Sequence, residues 1–87
     1  MPRVLVVEDE PLISLLLADW LDELGHDVIG PARDVKSALA LIDSAALDAA
    51  IVDVTLGRET GYPIAECLAR QNIPAGMSVV IFQQESR

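Results

Sequence analysis

Two short apolar runs in this chain each end in acidic residues. The acids are Glu8, Asp9 and Glu10 after residues 4–7, and Asp53 after residues 49–52. Carboxylates that converge repel one another, and a hard divalent cation that prefers oxygen ligands relieves the repulsion. Mg²⁺ is the natural candidate because it leaves coordination positions open for a phosphoryl oxygen, while Asp53 can attack phosphorus to form an acyl phosphate. The residue types therefore suit phosphoryl transfer at a metal site.

The same runs predict where these acids lie in a fold. A short apolar run bounded by a glycine-containing loop is typical of a buried parallel strand, and open α/β sheets bind ligands at the carboxyl ends of their strands. Taken alone, residues 8–10 are better explained as acids that stabilise a helix dipole. A second strand that ends in Asp53 reverses this preference. With the strand order 2-1-3, Glu8, Asp9 and Asp53 meet in one crevice.

Three helices are predicted by apolar residues at helical spacing. Pro11 suits the first turn of the first helix and Gly25 a left-handed end, Asp34 is placed as the N-cap of the second, and Pro63 opens the third. The predicted inner faces are Ile13, Leu16, Leu17, Trp20 and Leu24, with Ser14 on the other side, then Val35, Ala38, Leu39 and Ile42, and finally Ile64, Cys67 and Leu68.

Two further strands complete the expected alternation. Residues 27–30 form a short second strand closed by Pro31, which cannot donate to a ladder, and residues 79–82 form a fourth. Alternation of strand and helix predicts a parallel sheet with right-handed crossovers.

Composition limits the class of protein. The 87 residues suit one domain, and a net charge of −8 without clustered Lys and Arg argues against a nucleic-acid surface. No apolar run approaches the roughly 18 residues of a membrane span, and the N-terminus does not have the pattern of a signal peptide. We expect a cytoplasmic protein that contacts neither nucleic acid nor membrane by itself. The single cysteine, Cys67, is expected to be a core residue.

With these two strand ends and their acids, the chain resembles the response regulator receiver domains of two-component signalling. Residues 4–11 are similar to their opening strand and acidic pair, and residues 51–53, with Leu56 and Gly61, are similar to their phosphoacceptor strand and loop. The resemblance covers residues 3–74. It implies an α/β, flavodoxin-like parallel sheet with strand order 2-1-3-4 that lacks the final strand and helices of a complete receiver. Residues 1–87 would be a single receiver-like domain, with 75–87 a divergent C-terminal segment.

The resemblance also implies roles for individual residues. Asp53 would be the phosphoacceptor and part of the Mg²⁺ site, with Asp9 as a direct ligand, Glu8 as a water-mediated one and the backbone carbonyl of Thr55 as a further contact. The implied partner is a histidine kinase or phosphotransfer protein. Gly57 stands where the family usually has proline, a departure that loosens the loop but removes no ligand.

The C-terminal part departs further from the family. Receiver domains have a Ser or Thr after the fourth strand and a Lys at the end of the last, and both contact the phosphoryl group. Ser78 occupies the first position by counting from Pro74, and Gln84 by counting from the strand. Lys36 is the only lysine and lies too early to be the second. Arg58 in the acceptor loop is either a substitute cation or, more simply, a solvated loop residue.

We therefore expect a phosphoacceptor signalling domain that is not an enzyme beyond its own phosphorylation and dephosphorylation. One alternative is a non-switching interaction module, a degenerate or truncated receiver that acts by association. A phosphatase of the haloacid dehalogenase type ranks lower because that family would have a second Asp in place of Thr55. A dinucleotide-binding fold ranks lower still because no Gly-x-Gly-x-x-Gly follows the first strand.

Self-association is also expected. Parallel strands that are apolar on both faces need cover, and the helices of a complete receiver that would provide it are not in this sequence. We expect a homodimer or larger assembly whose interface includes the uncovered sheet face and residues 75–87.

Overall fold

The computed structural model describes residues 2–78 of the chain. The predicted strand at 79–82 and the alternative site residue Gln84 lie outside the described residues. In chain order the elements are β1 (Arg3–Val7), α1 (Pro11–Glu23), β2 (Asp27–Ala32), α2 (Val35–Ser44), β3 (Ala49–Asp53), β4 (Thr55–Leu56), β5 (Glu59–Thr60), α3 (Tyr62–Arg70) and β6 (Ala75–Ser78).

A four-stranded parallel sheet carries the fold. Its order is β2-β1-β3-β6, so the predicted flavodoxin-like order is confirmed, with β6 as the fourth strand of the main sheet. The fourth strand begins earlier than predicted, at Ala75, because Ala50 N–H donates to the Pro74 carbonyl and the two strands pair from there. Alanine and glycine at positions 75 and 76 have low strand propensity, which is why sequence periodicity favoured the later run.

The two faces of the sheet are covered differently. Leu5 and Val7 of β1 pack in a core beneath α2 and α3, whereas Val4 and Val6 pack against α1. Residues 4–7 are all buried, which explains why β1 is a continuous apolar run instead of an alternating one. The core beneath α2 and α3 also contains Ala32, Ala38, Ile42, Ala50, Val52, Leu56, Ile64 and Leu68.

The predicted inner face of α1 is partly wrong. Ile13 is buried and Leu17 half-buried, as expected, but Leu16, Trp20 and Leu24 are exposed. The other buried residues of α1 are Ser14 and Leu21. Leucines surround this helix, so helical spacing alone does not identify its inner face. Ser14 tolerates burial because its hydroxyl donates to the Pro11 carbonyl at 3.0 Å.

The ends of the other elements follow the sequence more closely. Gly25 has a positive φ of 84° just beyond α1, and Asp34 caps α2 by accepting the Ser37 N–H at 2.7 Å. The second strand, however, continues through Pro31 to Ala32 instead of ending at Gly30. Its register shifts between Leu5 and Val7 on β1, so the pairing resumes beyond the proline.

On α2, Ala38 and Ile42 are buried and Val35 is half-buried as predicted, but the prediction for Leu39 is wrong because this side chain is exposed.

The third helix matches its prediction. Pro63 lies in its first turn, Ile64 and Leu68 are fully buried, and Cys67 is half-buried against the same core. Across residues 2–78, every helix is too short or too polar to cross a lipid bilayer.

Candidate functional site

Three carboxylates converge at the carboxyl ends of β1 and β3. Because Val7 pairs with Val52, the next residues, Glu8 and Asp53, lie side by side at the carboxyl edge of the sheet. Glu8, Asp9 and Asp53 each offer a carboxylate oxygen, and these oxygens lie within 4.8 Å of one another. The crevice predicted from the strand order is therefore present.

Burial makes this cluster electrostatically unfavourable without a cation. Glu8 is 2% exposed and Asp53 8%. Glu8 Oε2 accepts the Glu10 N–H at 3.1 Å, but Glu8 Oε1 is buried and has no hydrogen-bond partner among the described residues. Burial, followed by the nearby Asp53 carboxylate and its negative charge, raises the pKa of Glu8 from 4.5 to about 7. The cluster thus favours binding of a proton or a cation.

The backbone of the first strand end is held by the neighbouring strand. Glu8 N–H donates to the Ala32 carbonyl at 2.9 Å, beyond the register shift in β2. The continuation of β2 past Pro31, which the sequence did not predict, therefore helps to position Glu8.

The loop after Asp53 folds into a small hairpin that begins beside the acidic cluster. Asp53 Oδ1 accepts the Thr55 N–H at 3.2 Å, and Thr55 then pairs with Thr60 across β4 and β5. Gly57 and Arg58 form its two-residue turn, with a φ of 63° at Gly57. A positive φ at the first turn position only is typical of a type II′ turn. Gly57, which stands where the family usually has proline and was expected to loosen the loop, thus forms part of a defined turn.

Gly57 also approaches the carboxylates. A methyl group at Gly57 would lie 3.7 Å from Asp9 Oδ2, an ordinary van der Waals contact, so the turn lies directly beside this carboxylate. At the end of the hairpin, Gly61 N–H donates to the Val54 carbonyl at 2.8 Å. A Cβ at Gly61 would collide with the Asp53 carbonyl oxygen, and this contact gives a physical reason for glycine there.

Glu59 was not identified from the sequence. Its Oε1 accepts the Val35 N–H at 3.2 Å and thereby joins the hairpin to the first residue of α2. Carboxylates favour helix N-termini, but the two residues are 24 apart in sequence, so no local pattern connects them.

The remaining candidates are distributed around the cluster. Arg58 is exposed at the hairpin turn and Lys36 is exposed on α2. Ser78 is the last residue of β6, and its Cα is paired in register with that of Asp53.

The comparison with protein families agrees with this geometry. The family model described as response regulator receiver domain matches residues 4–87. The chain belongs to this family. It is a receiver domain of the two-component response regulators, a class of proteins that interacts with histidine kinases or phosphotransfer proteins.

Similar proteins include a regulator and two receiver structures. The transcriptional regulatory protein PdtaR of Mycobacterium tuberculosis is 35% identical over 82 residues, which are 94% of this chain and 40% of PdtaR. The solution structure of SdrG from Sphingomonas melonis is 33% identical with a TM-score of 0.82, over 95% of this chain and 86% of that one. The receiver domain therefore spans less than half of PdtaR but most of SdrG.

The second of these solved structures is a complex with Mg²⁺-BeF. It is the response regulator TrrA of Thermotoga maritima in complex with Mg²⁺-BeF, which is 31% identical. The match has a TM-score of 0.77 and covers 88% of this chain and 66% of TrrA.

Replacing Glu8 with glutamine is expected to stabilise the metal-free protein at pH 8. A carboxyl whose folded-state pKa is raised stabilises the fold below about pH 4.5, and this contribution is lost as the pH rises through about 7. Glu8→Gln removes that loss, so the free energy of unfolding should rise by roughly 1–3 kcal/mol at pH 8, since one pKa unit is about 1.4 kcal/mol. Urea unfolding at pH 5 and pH 8, with a chelator to keep the protein metal-free, measures this change in the free energy of unfolding. Glu66→Gln, at an exposed position on α3, is the control, and equal effects of Glu8→Gln at both pH values would contradict the prediction.

Restoring the family's usual proline at position 57 is expected to disrupt the hairpin. Proline fixes φ near −65°, whereas Gly57 has a φ of 63°. Gly57→Pro should lower the free energy of unfolding by roughly 1–3 kcal/mol and speed hydrogen exchange at Gly61 N–H. Gly76→Ala is a matched control because a Cβ there meets nothing within 4 Å. A Gly57→Pro protein with unchanged stability and exchange would show that the turn is formed differently.

Proposed function

We propose that this receiver domain is a phosphoacceptor in a two-component phosphorelay, with Asp53 as the residue phosphorylated. The observation that carries the proposal is the placement of Asp53 at the end of β3, with its carboxylate within 4.8 Å of those of Glu8 and Asp9. The donor would be a histidine kinase or phosphotransfer protein, the partner class of the family. The domain would be a signalling component, with no catalysis beyond its own phosphorylation and dephosphorylation.

The acidic cluster fits Mg²⁺. A buried oxygen of Glu8 that has no hydrogen-bond partner among residues 2–78, next to two further carboxylates, is the type of oxygen-rich site that this ion prefers. We assign Asp9 and Asp53 as direct ligands, Glu8 as a ligand through water, and the Thr55 carbonyl as a further contact. When bound, Mg²⁺ supplies positive charge that stabilises the phosphoryl oxygens. The Mg²⁺-BeF complex of TrrA supports this assignment by similarity.

The chain's own groups would organise the transfer around Asp53. An Asp53 oxygen attacks phosphorus while the bond from phosphorus to the donor histidine nitrogen breaks, and its electron pair stays on that nitrogen. The Thr55 N–H, at 3.2 Å from Asp53 Oδ1, orients the carboxylate for the attack. Ser78, in register with Asp53, is proposed as the Ser/Thr of the family in preference to Gln84.

One cationic contact of the family has no counterpart in these 87 residues. Lys36 is the only lysine, and it lies on α2 instead of at the end of a strand in the sheet. We therefore propose slow phosphorylation and a weak conformational response. The acidic cluster favours this function over a non-switching interaction module, which would need no convergence of carboxylates. We also propose that the domain forms a homodimer.

Phosphorylation of Asp53 is expected with a small donor and Mg²⁺, at a rate on the order of a hundredfold below that of complete receivers, since one charge contact is worth a few kcal/mol in the transition state. Intact-mass measurement of an acid-labile phosphoryl group follows the reaction. Asp53→Asn should abolish it, and Asp43→Asn, an exposed residue on α2, should not. Labelling that survives Asp53→Asn would refute the assignment.

Mg²⁺ is expected to bind weakly, and Asp9→Asn should weaken it by about tenfold or more, because a charged ligand contributes on the order of 1–3 kcal/mol. The amide resonances of Glu8, Asp9, Asp53 and Thr55 report binding directly during a titration at pH 8. Asp19→Asn, on the exposed side of α1, is the control. Shifts that are absent from these residues, or unchanged by Asp9→Asn, would contradict the metal site.

A further inference from the structure

Helix α1 presents a row of apolar side chains to solvent. Leu12, Leu16, Trp20 and Leu24 follow one another at intervals of four residues and are 62%, 59%, 56% and 54% exposed. Leu15 adjoins this row and is 58% exposed. We call these five residues the α1 row. Exposed apolar patches of this extent are typical of interaction surfaces in soluble proteins.

The sheet beneath α1 has room for a second helix. Four strands spaced about 4.8 Å apart span roughly 15 Å, whereas packed helices lie about 8–10 Å apart, so each face accommodates two helices. Among residues 2–78, α2 and α3 cover one face and α1 alone packs on the other. Accordingly, Ala50 and Val52 on the first face are buried, while Ala49 and Ile51 on the face of α1 are only half-buried. Within residues 2–78, the α1 side is therefore the side with incomplete cover.

The charges of α1 are separated along its length. Residues 11–18 carry no charge, and the only adjacent acids, Asp9 and Glu10, precede the helix. The C-terminal half carries Asp19, Asp22 and Glu23 and no basic residue, so its acids adjoin the negative end of the helix dipole. A neighbour that offers an uncharged helix with its positive N-terminal end would complement this half. The first half of α1 itself is such a neighbour.

We propose that a second copy of this chain packs its α1 antiparallel against the first, row against row, across a two-fold axis midway between Leu16 and Trp20. Each acidic half then lies beside the uncharged half of the other copy, whereas a parallel arrangement would bring the acidic halves together. Rows of residues four apart interdigitate in the commonest class of helix packing. The two-fold makes the interface self-complementary, as in most homodimers. This inference rests on the proposed self-association and is independent of the phosphoacceptor chemistry.

The surface is large enough for a specific but modest interface. Partly exposed leucines and a tryptophan offer roughly 500 Å² per copy, so two copies bury about 1,000 Å², near the lower limit for specific association. The net charge of −8 on each copy opposes association at low ionic strength. Salt should therefore strengthen the dimer, which distinguishes it from a contact held by ion pairs.

Sedimentation and the fluorescence of Trp20 test the proposal on the full chain. Trp20 is the only tryptophan, and its burial in the dimer should shift its emission to shorter wavelength with rising protein concentration, from about 1 µM to about 1 mM. Leu16→Glu should raise the dissociation constant at least tenfold and abolish the shift. Leu39→Glu, which places the same change on the exposed side of α2, should leave the dissociation constant and the emission shift unchanged.

Cysteine cross-linking tests the antiparallel geometry. In a Cys67→Ala background, Leu16→Cys should form a disulfide with Trp20→Cys in a mixture because the axis lies between these two positions. Leu12→Cys should not cross-link to itself but should cross-link to Leu24→Cys in a mixture. Self-cross-linking at Leu12 with none between Leu16→Cys and Trp20→Cys would overturn the antiparallel arrangement.

Three further outcomes would overturn the proposal. They are a monomer at about 1 mM with Trp20 exposed, a Trp20 already shielded in a dilute monomer, and a dimer that Leu16→Glu does not weaken. The first would leave the α1 row for a different protein, the second would mean that the chain covers it by itself, and the third would place the dimer contact elsewhere. Phosphorylation of Asp53 in the Leu16→Glu monomer keeps the two functions distinguishable, since it should proceed regardless of the oligomeric state.

Discussion

Repulsion among the three carboxylates at the ends of β1 and β3 is the interaction on which the site depends. Parallel pairing of Val7 with Val52 places Glu8 and Asp53 side by side at the carboxyl edge of the sheet, and the surrounding core removes both from water. Buried like charges are unfavourable by several kcal/mol unless a proton or cation compensates them. The raised pKa of Glu8 is the visible result. The energy of packing the sheet therefore holds the acids in an arrangement that a divalent cation would relieve.

Backbone groups, more than side chains, shape the loop that surrounds these carboxylates. The N–H of Thr55 holds Asp53, and a positive φ at Gly57 turns the hairpin beside Asp9. Gly61 admits the Asp53 carbonyl where any side chain would collide. Because glycine allows the close approach at position 61 and readily adopts the positive φ at position 57, the two glycines determine the path of the loop beside the acids. The family's proline could not adopt the conformation at position 57.

The two faces of the sheet are covered by different numbers of helices, and this difference explains why apolar side chains of α1 are exposed. Strand β1 is buried on both sides, yet two helices pack on one face and only α1 on the other within residues 2–78. Apolar side chains surround α1, so some of them remain in water whichever way the helix rotates. Its inner face is set by Ile13 and Leu21, which leaves Leu16 and Trp20 outward. A single fold thus combines a buried polar site with an exposed apolar helix.

The sequence by itself determined the parallel α/β fold, both ends of α1, the start of α2, and the meeting of Glu8, Asp9 and Asp53. These features follow from local signals, namely apolar runs, helix caps and the rule that ligands collect at strand ends. Only the tertiary structure decided the outward face of α1, the passage of β2 through Pro31, the start of β6 at Ala75 and the contact of Glu59 with α2. The physical reason is that these features depend on pairing and packing between segments distant in sequence, where local propensity is weak or points elsewhere.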